Sequence, residues 1–195
     1  MNTTAPVRLS ARERLLNAAD ELFYEEGIHT VGIDRVIERA GVAKASLYNT
    51  FGSKDELVKA YLTARNTARQ SRITGKLSRY PTPREKLLGV FDILGELFAE
   101  PTFRGCAFLR ASAEGPAAGS GDGSVTQVCD NSRAWVRSLF VDLAAEAGAR
   151  DPQTLGGQLV LLYDGATVAA QMDHDKTAGA AARTVATLLL DAATA

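Results

Sequence analysis

Residues 30–57 read TVGIDRVIERAGVAKASLYNTFGSKDEL, and this stretch decides the fold. Ile33, Val36, Ile37 and Ala40 recur at helical spacing and predict a short helix with one buried face. Gly41 ends that helix in the left-handed conformation, which glycine adopts at no steric cost. A tight turn follows. Val42 and Leu47 then point inward on a second short helix, leaving Lys44, Ala45, Ser46, Tyr48, Asn49 and Thr50 facing out. Lysine and tyrosine reach far, while Ala45 and Ser46 allow close approach, so this face suits hydrogen bonds to phosphates and base edges better than it suits packing. The pattern predicts a helix-turn-helix that reads duplex DNA.

Gly41-Val42, Lys44, Leu47-Tyr48, Phe51 and Ser53-Lys54-Asp55-Glu56-Leu57, in this order and at this spacing, resemble the signature of TetR/AcrR-type transcriptional regulators. In detail the resemblance covers roughly the first sixty residues, whereas the later part is similar in length, helicity and order. It implies that the first three helices bind DNA as half of a homodimer, and that the remaining helices hold a small-molecule pocket and the dimer contact. It assigns Lys44, Ala45, Ser46, Tyr48, Asn49 and Thr50 to the recognition surface, and Lys54 with Tyr48 to backbone phosphate. Lys54 falls in the first turn of its helix, where free N–H groups already favour an anion. Two positions depart from the family pattern. Gly32 stands where a Ser or Thr usually caps the first helix of the motif, leaving only backbone N–H donors for that phosphate. Thr50 stands where the family often has His, so operator preference does not transfer from relatives.

Outward from the motif, nearly every helix announces its start. Ser10-Ala-Arg-Glu13, Ser53-Lys-Asp-Glu56, Thr82-Pro-Arg-Glu85 and Ser124-Val-Thr-Gln127 each place a hydroxyl at the N-cap and Glu or Gln three residues on. Asp151-Pro152 adds another start, with proline at the first helical position. No run with strand alternation competes, so the chain reads as all-α with about nine helices. Leu15, Leu16, Ala19, Leu22 and Phe23 give the first helix a stripe that covers the motif. The expected organisation is a flexible arm over 1–9, a helix-turn-helix domain over 10–52, a connecting helix over 53–80, and a helical ligand-binding and dimerisation domain over 81–195. Within the last, helices are expected near 83–99, 103–114, 124–147, 152–172 and 177–193, with a flexible Gly-rich loop over 115–123.

The chain has 195 residues, 46% hydrophobic and 23% charged, enough for one substantial core or a small domain fused to a medium one. The formal net charge of −1 conceals a division: residues 1–80 hold 13 Lys and Arg against 9 Asp and Glu, and residues 81–195 hold 9 against 14. The basic half is the one carrying the motif. Met1 to Pro6 lack the apolar core of a signal peptide, and no run of about eighteen apolar residues occurs, so a cytoplasmic protein without a membrane segment is expected. Cys106 and Cys129 are too few for a disulfide scaffold and lack zinc-site spacing.

In the later half, Phe91, Leu94 and Phe98 form a stripe. Phe103, Cys106, Phe108 and Leu109, with Trp135, Leu139 and Tyr163, join it as candidate linings of an effector pocket. The last two helices carry small and branched apolar residues, Gly165, Ala166, Ala169 and Ala170 on one and Ala181, Ala182, Val185 and Leu188 on the other. They predict a four-helix homodimer contact and hence a palindromic operator. Arg65, Arg69, Arg72, Lys76 and Arg79 make one basic stripe, read either as a solvated face or as a site for an anionic effector. No Ser/His/Asp set, metal spacing or phosphate loop points to an enzyme or a cofactor. The leading expectation is a homodimeric repressor released from its operator by a small molecule. The alternatives are a thiol-redox regulator acting through Cys106 and Cys129, and a small helical enzyme.

Overall fold

A computed structural model describes residues 9–114 and 123–195, and in them the chain is all-α. Nine helices run in the order α1 (Ala11–Glu26), α2 (Ile33–Ala40), α3 (Lys44–Phe51), α4 (Lys54–Leu77), α5 (Pro83–Phe98), α6 (Ala107–Glu114), α7 (Ser124–Glu146), α8 (Pro152–Met172) and α9 (Ala178–Thr194). The expected arm and the Gly-rich loop lie outside the described residues, except Leu9 and Gly123.

Four of the starts, those of α1, α4, α5 and α8, are made by caps the sequence carries. Ser10 accepts from the Glu13 N–H while the Glu13 carboxylate accepts from the Ser10 N–H, and Thr82 with Glu85 repeats this reciprocal arrangement. The Asp151 carboxylate accepts from the Thr154 N–H at 3.1 Å, ahead of Pro152. Ser53 caps α4 through the Glu56 N–H at 3.1 Å. Each cap satisfies a donor that the helix leaves orphaned. Ser10→Ala should therefore lower stability by about 1 kcal/mol, read as a shift in the urea midpoint without a change in slope.

One expected boundary differs. Helix α6 begins at Ala107, four residues later than the spacing predicts, because Gly105 sits at φ +93 and breaks the helical run.

The described residues form two compact units. The first takes those up to Arg65 and those between Ala107 and Cys129; the second takes Asn66–Cys106 and Asp130–Ala195. In the first, Leu15, Ala19, Phe23, Val36, Leu47, Leu57, Tyr61 and Leu62 are buried, with Phe23 and Tyr61 meeting edge to face at 5.5 Å. In the second, Phe91 stacks on Phe140 and Phe140 meets Tyr163, at centroid separations of 5.5 and 6.0 Å. There α5 and α9 cross at Gly95 and Gly179, so closely that a Cβ on Gly179 would lie 2.6 Å from the Gly95 Cα. Sequence position therefore does not define the units: α6 and the start of α7 share the first unit with the helix-turn-helix.

Candidate nucleic-acid interface

Gly41 has φ 60 and ψ 44, and its N–H and that of Val42 close α2 on the Glu38 and Ile37 carbonyls. From α1, the Arg14 guanidinium donates to the carbonyls of Ala40 and Gly41, at 3.2 and 2.8 Å, and so pins the turn between α2 and α3. The Arg35–Glu26 and Arg39–Glu21 pairs, at 2.7 and 2.6 Å, hold α2 against α1. Both pairs are exposed and contribute little to stability, so they orient α2 while Val36, Ile37 and Ala40 supply its burial.

This framework presents α3 with only Leu47 fully buried. Lys44, Ala45, Tyr48, Asn49 and Thr50 are exposed, Tyr48 to 46%, and Ser46 is half-buried. The Thr50 hydroxyl donates to the Ser46 carbonyl at 2.6 Å. The N-cap of α3 is Ala43 and that of α2 is Gly32, and neither provides a side-chain cap, so both helices offer first-turn N–H groups to an outside acceptor.

Two lysines assigned from the sequence sit differently. Lys44 pairs with Asp34 at 2.8 Å on the open surface, where the carboxylate, by hydrogen bond first and charge second, raises its pKa. Such a pair is easily exchanged for a phosphate. Lys54 turns inward. Its ammonium donates to the Ile28 carbonyl at 2.7 Å and lies 5.9 Å from the Phe23 ring, and burial lowers its pKa.

A support that sequence reasoning missed comes from α6. The Glu114 carboxylate accepts from the N–H groups of Ile28 and His29, at 3.3 and 2.8 Å, in the loop that feeds α2. Arg110 donates to the Tyr24 carbonyl at 2.6 Å. These partners are 85 or 86 residues apart, and no local pattern marks them.

The candidate pocket residues divide. Phe91, Leu94, Phe98 and Tyr163 belong to the core of the second unit, with Phe103, Trp135 and Leu139 packed against it. Cys106 is half-buried in that unit, while Phe108 and Leu109 lie in the first, where Phe108 is buried and Leu109 is 49% exposed. Burial raises the Tyr163 pKa, against the opposing charge of Arg69. Cys106 and Cys129 are not joined in a disulfide, and Cys129 belongs to the first unit. The basic stripe is neither bare nor simply solvated. Arg65 pairs with Asp20 at 2.6 Å and lies over the Tyr24 ring, Arg69 donates to the Ser132 hydroxyl and carbonyl, and Arg72 pairs with Glu100. Lys76 and Arg79 share Glu96. No helix among the described residues is long and apolar enough to cross a membrane.

A helix-turn-helix with a polar, outward second helix, joined to a larger helical unit, defines a DNA-binding transcriptional regulator. The family model described as "Bacterial regulatory proteins, tetR family" matches residues 15–61. Among curated proteins, the transcriptional activator FasR of Mycolicibacterium smegmatis is 49% identical over 51 residues, 26% of this chain and 23% of that protein. The transcriptional repressor NemR of Escherichia coli K12 is 30% identical over 105 residues, 53% of each chain. The chain thus spans about a quarter to a half of the length of these curated relatives. Solved structures match over nearly the whole length. A TetR-family regulator from Streptomyces coelicolor is 32% identical with a TM-score of 0.85, covering 95% of this chain and 96% of that one. A TetR-type protein from Streptomyces avermitilis is 35% identical with a TM-score of 0.82, covering 95% and 98%. The chain belongs to the TetR family of transcriptional regulators.

Proposed function

We propose that two copies of this chain bind a palindromic operator as a repressor and that a small-molecule effector, held among the helices of the second unit, releases them. The observation that carries the DNA half of this reading is the exposed face of α3, from Lys44 to Thr50, on a rigidly capped turn. Residues 10–52 act as the reading head in this proposal, 53–80 as the connection, and 81–195 as the sensing and dimer-forming part, with α6 lending support to the head. Lys44, Ala45, Ser46, Tyr48, Asn49 and Thr50 meet the major groove. Gly32 offers backbone N–H groups to phosphate, and Lys54 acts through the loop it holds. Phe91, Leu94, Phe98, Phe103, Cys106, Trp135, Leu139 and Tyr163 remain the candidate surroundings of the effector.

Dimer formation is argued from α8 and α9, which leave Leu161 71%, Leu188 65% and Val185 44% exposed beside small residues such as Gly165 and Ala181. Recognition helices of such a dimer enter successive major grooves about 34–36 Å apart. Leu188→Glu should weaken self-association at least tenfold, read by sedimentation across a concentration series, while the helical circular dichroism stays unchanged.

The test is a gel shift of the wild-type protein with the DNA flanking its own gene, repeated with candidate compounds. Retention at low salt, abolished on adding one compound, supports the reading. The coupling required is about 1–3 kcal/mol, or roughly 5- to 150-fold in DNA affinity. Failure to retain any flanking fragment sinks it. Because FasR is named an activator, a compound that tightens retention would point to activation in place of repression.

A further inference from the structure

The first unit contains a groove of about 460 Å³ between the start of α1, the end of α3 and the first half of α4. Its apolar lining is Leu16, Phe51, Ala60 and Ala64, small residues predominating on the α4 side. Its charged groups are Arg12, Lys59 and Glu56, two cations against one acid, and Thr50 of the exposed α3 face is also part of the lining.

The two cations differ in how they are held. The Arg12 guanidinium makes no hydrogen bond or ion pair to any described residue and lies 5.6 Å from the Phe51 ring centroid. In the same unit, Arg35 and Arg39 are paired with acids of α1, Arg14 with carbonyls of the turn, and Arg65 with Asp20. Lys59 pairs with Glu56 at 3.4 Å, both about half exposed, a weak interaction readily exchanged for a doubly oxygenated anion.

We infer that this groove is a second DNA contact, which seats one sugar–phosphate unit of the strand flanking the α3 site, with Arg12 and Lys59 on the phosphate and the apolar lining against the deoxyribose. The inference rests on the DNA-reading role proposed for α3, since Thr50 makes the groove continuous with that face. The guanidinium offers a planar pair of donors held by the Phe51 ring, and Lys59 adds a point charge. The groove carries affinity and register but no base preference.

The experiment is the salt dependence of operator affinity, measured for the full-length wild type and for Arg12→Ala, Lys59→Ala, the double variant, Arg12→Lys and Lys176→Ala. Each phosphate that the protein no longer neutralises should reduce the slope of log K against log salt by roughly 0.9, so the double variant, which gives up one phosphate in each of two protomers, should show a slope smaller by about 1.8 and weaker binding, uniform across operator sequences. Arg12→Lys should restore most of the slope. Lys176 is an exposed cation of the second unit, and its substitution should leave the slope as it was. An unchanged slope in the double variant, with affinity still measurable, overturns the role of the groove while leaving the α3 reading intact. An equal decrease of slope in Lys176→Ala also overturns it, because net charge alone would then explain the effect. If the double variant changes the sedimentation of the DNA-free protein and not the slope, the groove is an interface between copies and the inference fails. A wild type that binds no duplex at all removes the α3 reading as well.

Discussion

Replacing Tyr48 and Asn49 together with alanine should lower operator affinity by about 10²- to 10⁴-fold at fixed salt and leave thermal unfolding unchanged. Tyr48 is 46% exposed and Asn49 is exposed, so neither side chain contributes to the core that Leu47, on the same helix, completes. Alanine also raises helix propensity slightly at both positions, which works against any loss of folding. A good interaction with a base edge is worth about 1–3 kcal/mol, so losing that of Asn49 from each of two protomers alone accounts for about 2–6 kcal/mol, which brackets the stated range. The measurement is a titration of labelled operator beside a melting curve. An affinity within threefold of wild type would mean that α3 does not read the duplex. A melting temperature that falls in parallel would mean that the two residues hold the fold.

The second large effect is on stability. Gly179→Ala should cost about 3 kcal/mol, because the new methyl would lie 2.6 Å from the Gly95 Cα, 2.8 Å from its nitrogen and 3.1 Å from the Phe91 carbonyl oxygen. Backbone atoms cannot rotate aside as a side chain can, so α5 and α9 must separate and loosen the core around Phe91. Gly75→Ala is the contrast. Nothing lies within 4 Å of the methyl it would add in α4, and the change should stabilise by about 0.5–1 kcal/mol through propensity alone. Equal urea midpoints for the two variants would refute the close crossing.

What could be read in advance follows the range of the interaction. The caps at Ser10, Thr82 and Asp151, the left-handed Gly41 and the apolar spacing from Ile33 to Leu47 are set by residues within a turn or two of one another, and they appear as expected. The late start of α6 depends on Gly105, whose composition signal is weak beside the surrounding apolar residues. The long-range ties leave no periodic trace: Arg65 finds Asp20 on α1, Arg72 finds Glu100, and Arg69 finds Ser132. A basic stripe in sequence thus becomes a row of separately anchored side chains. Lys54 is the same lesson at a single residue. Its place in a first turn suggested an outward ammonium, whereas the Ile28 carbonyl and the Phe23 face draw it inward. The groove beside Arg12 is lined by residues of α1, α3 and α4 that stand far apart in the sequence, so only their packing makes it visible.

The hold of Glu114 and Arg110 on the end of α1 and the loop after it bears on anyone wishing to graft this reading head onto another sensor. A transplant cut after Arg65 would leave the Ile28 and His29 amides and the Tyr24 carbonyl without these protein partners, and the donor strip would fray where α2 begins. A working chimera must carry the stretch from Ala107 to Cys129 along with the first 65 residues, so the smallest portable cassette is discontinuous in the gene.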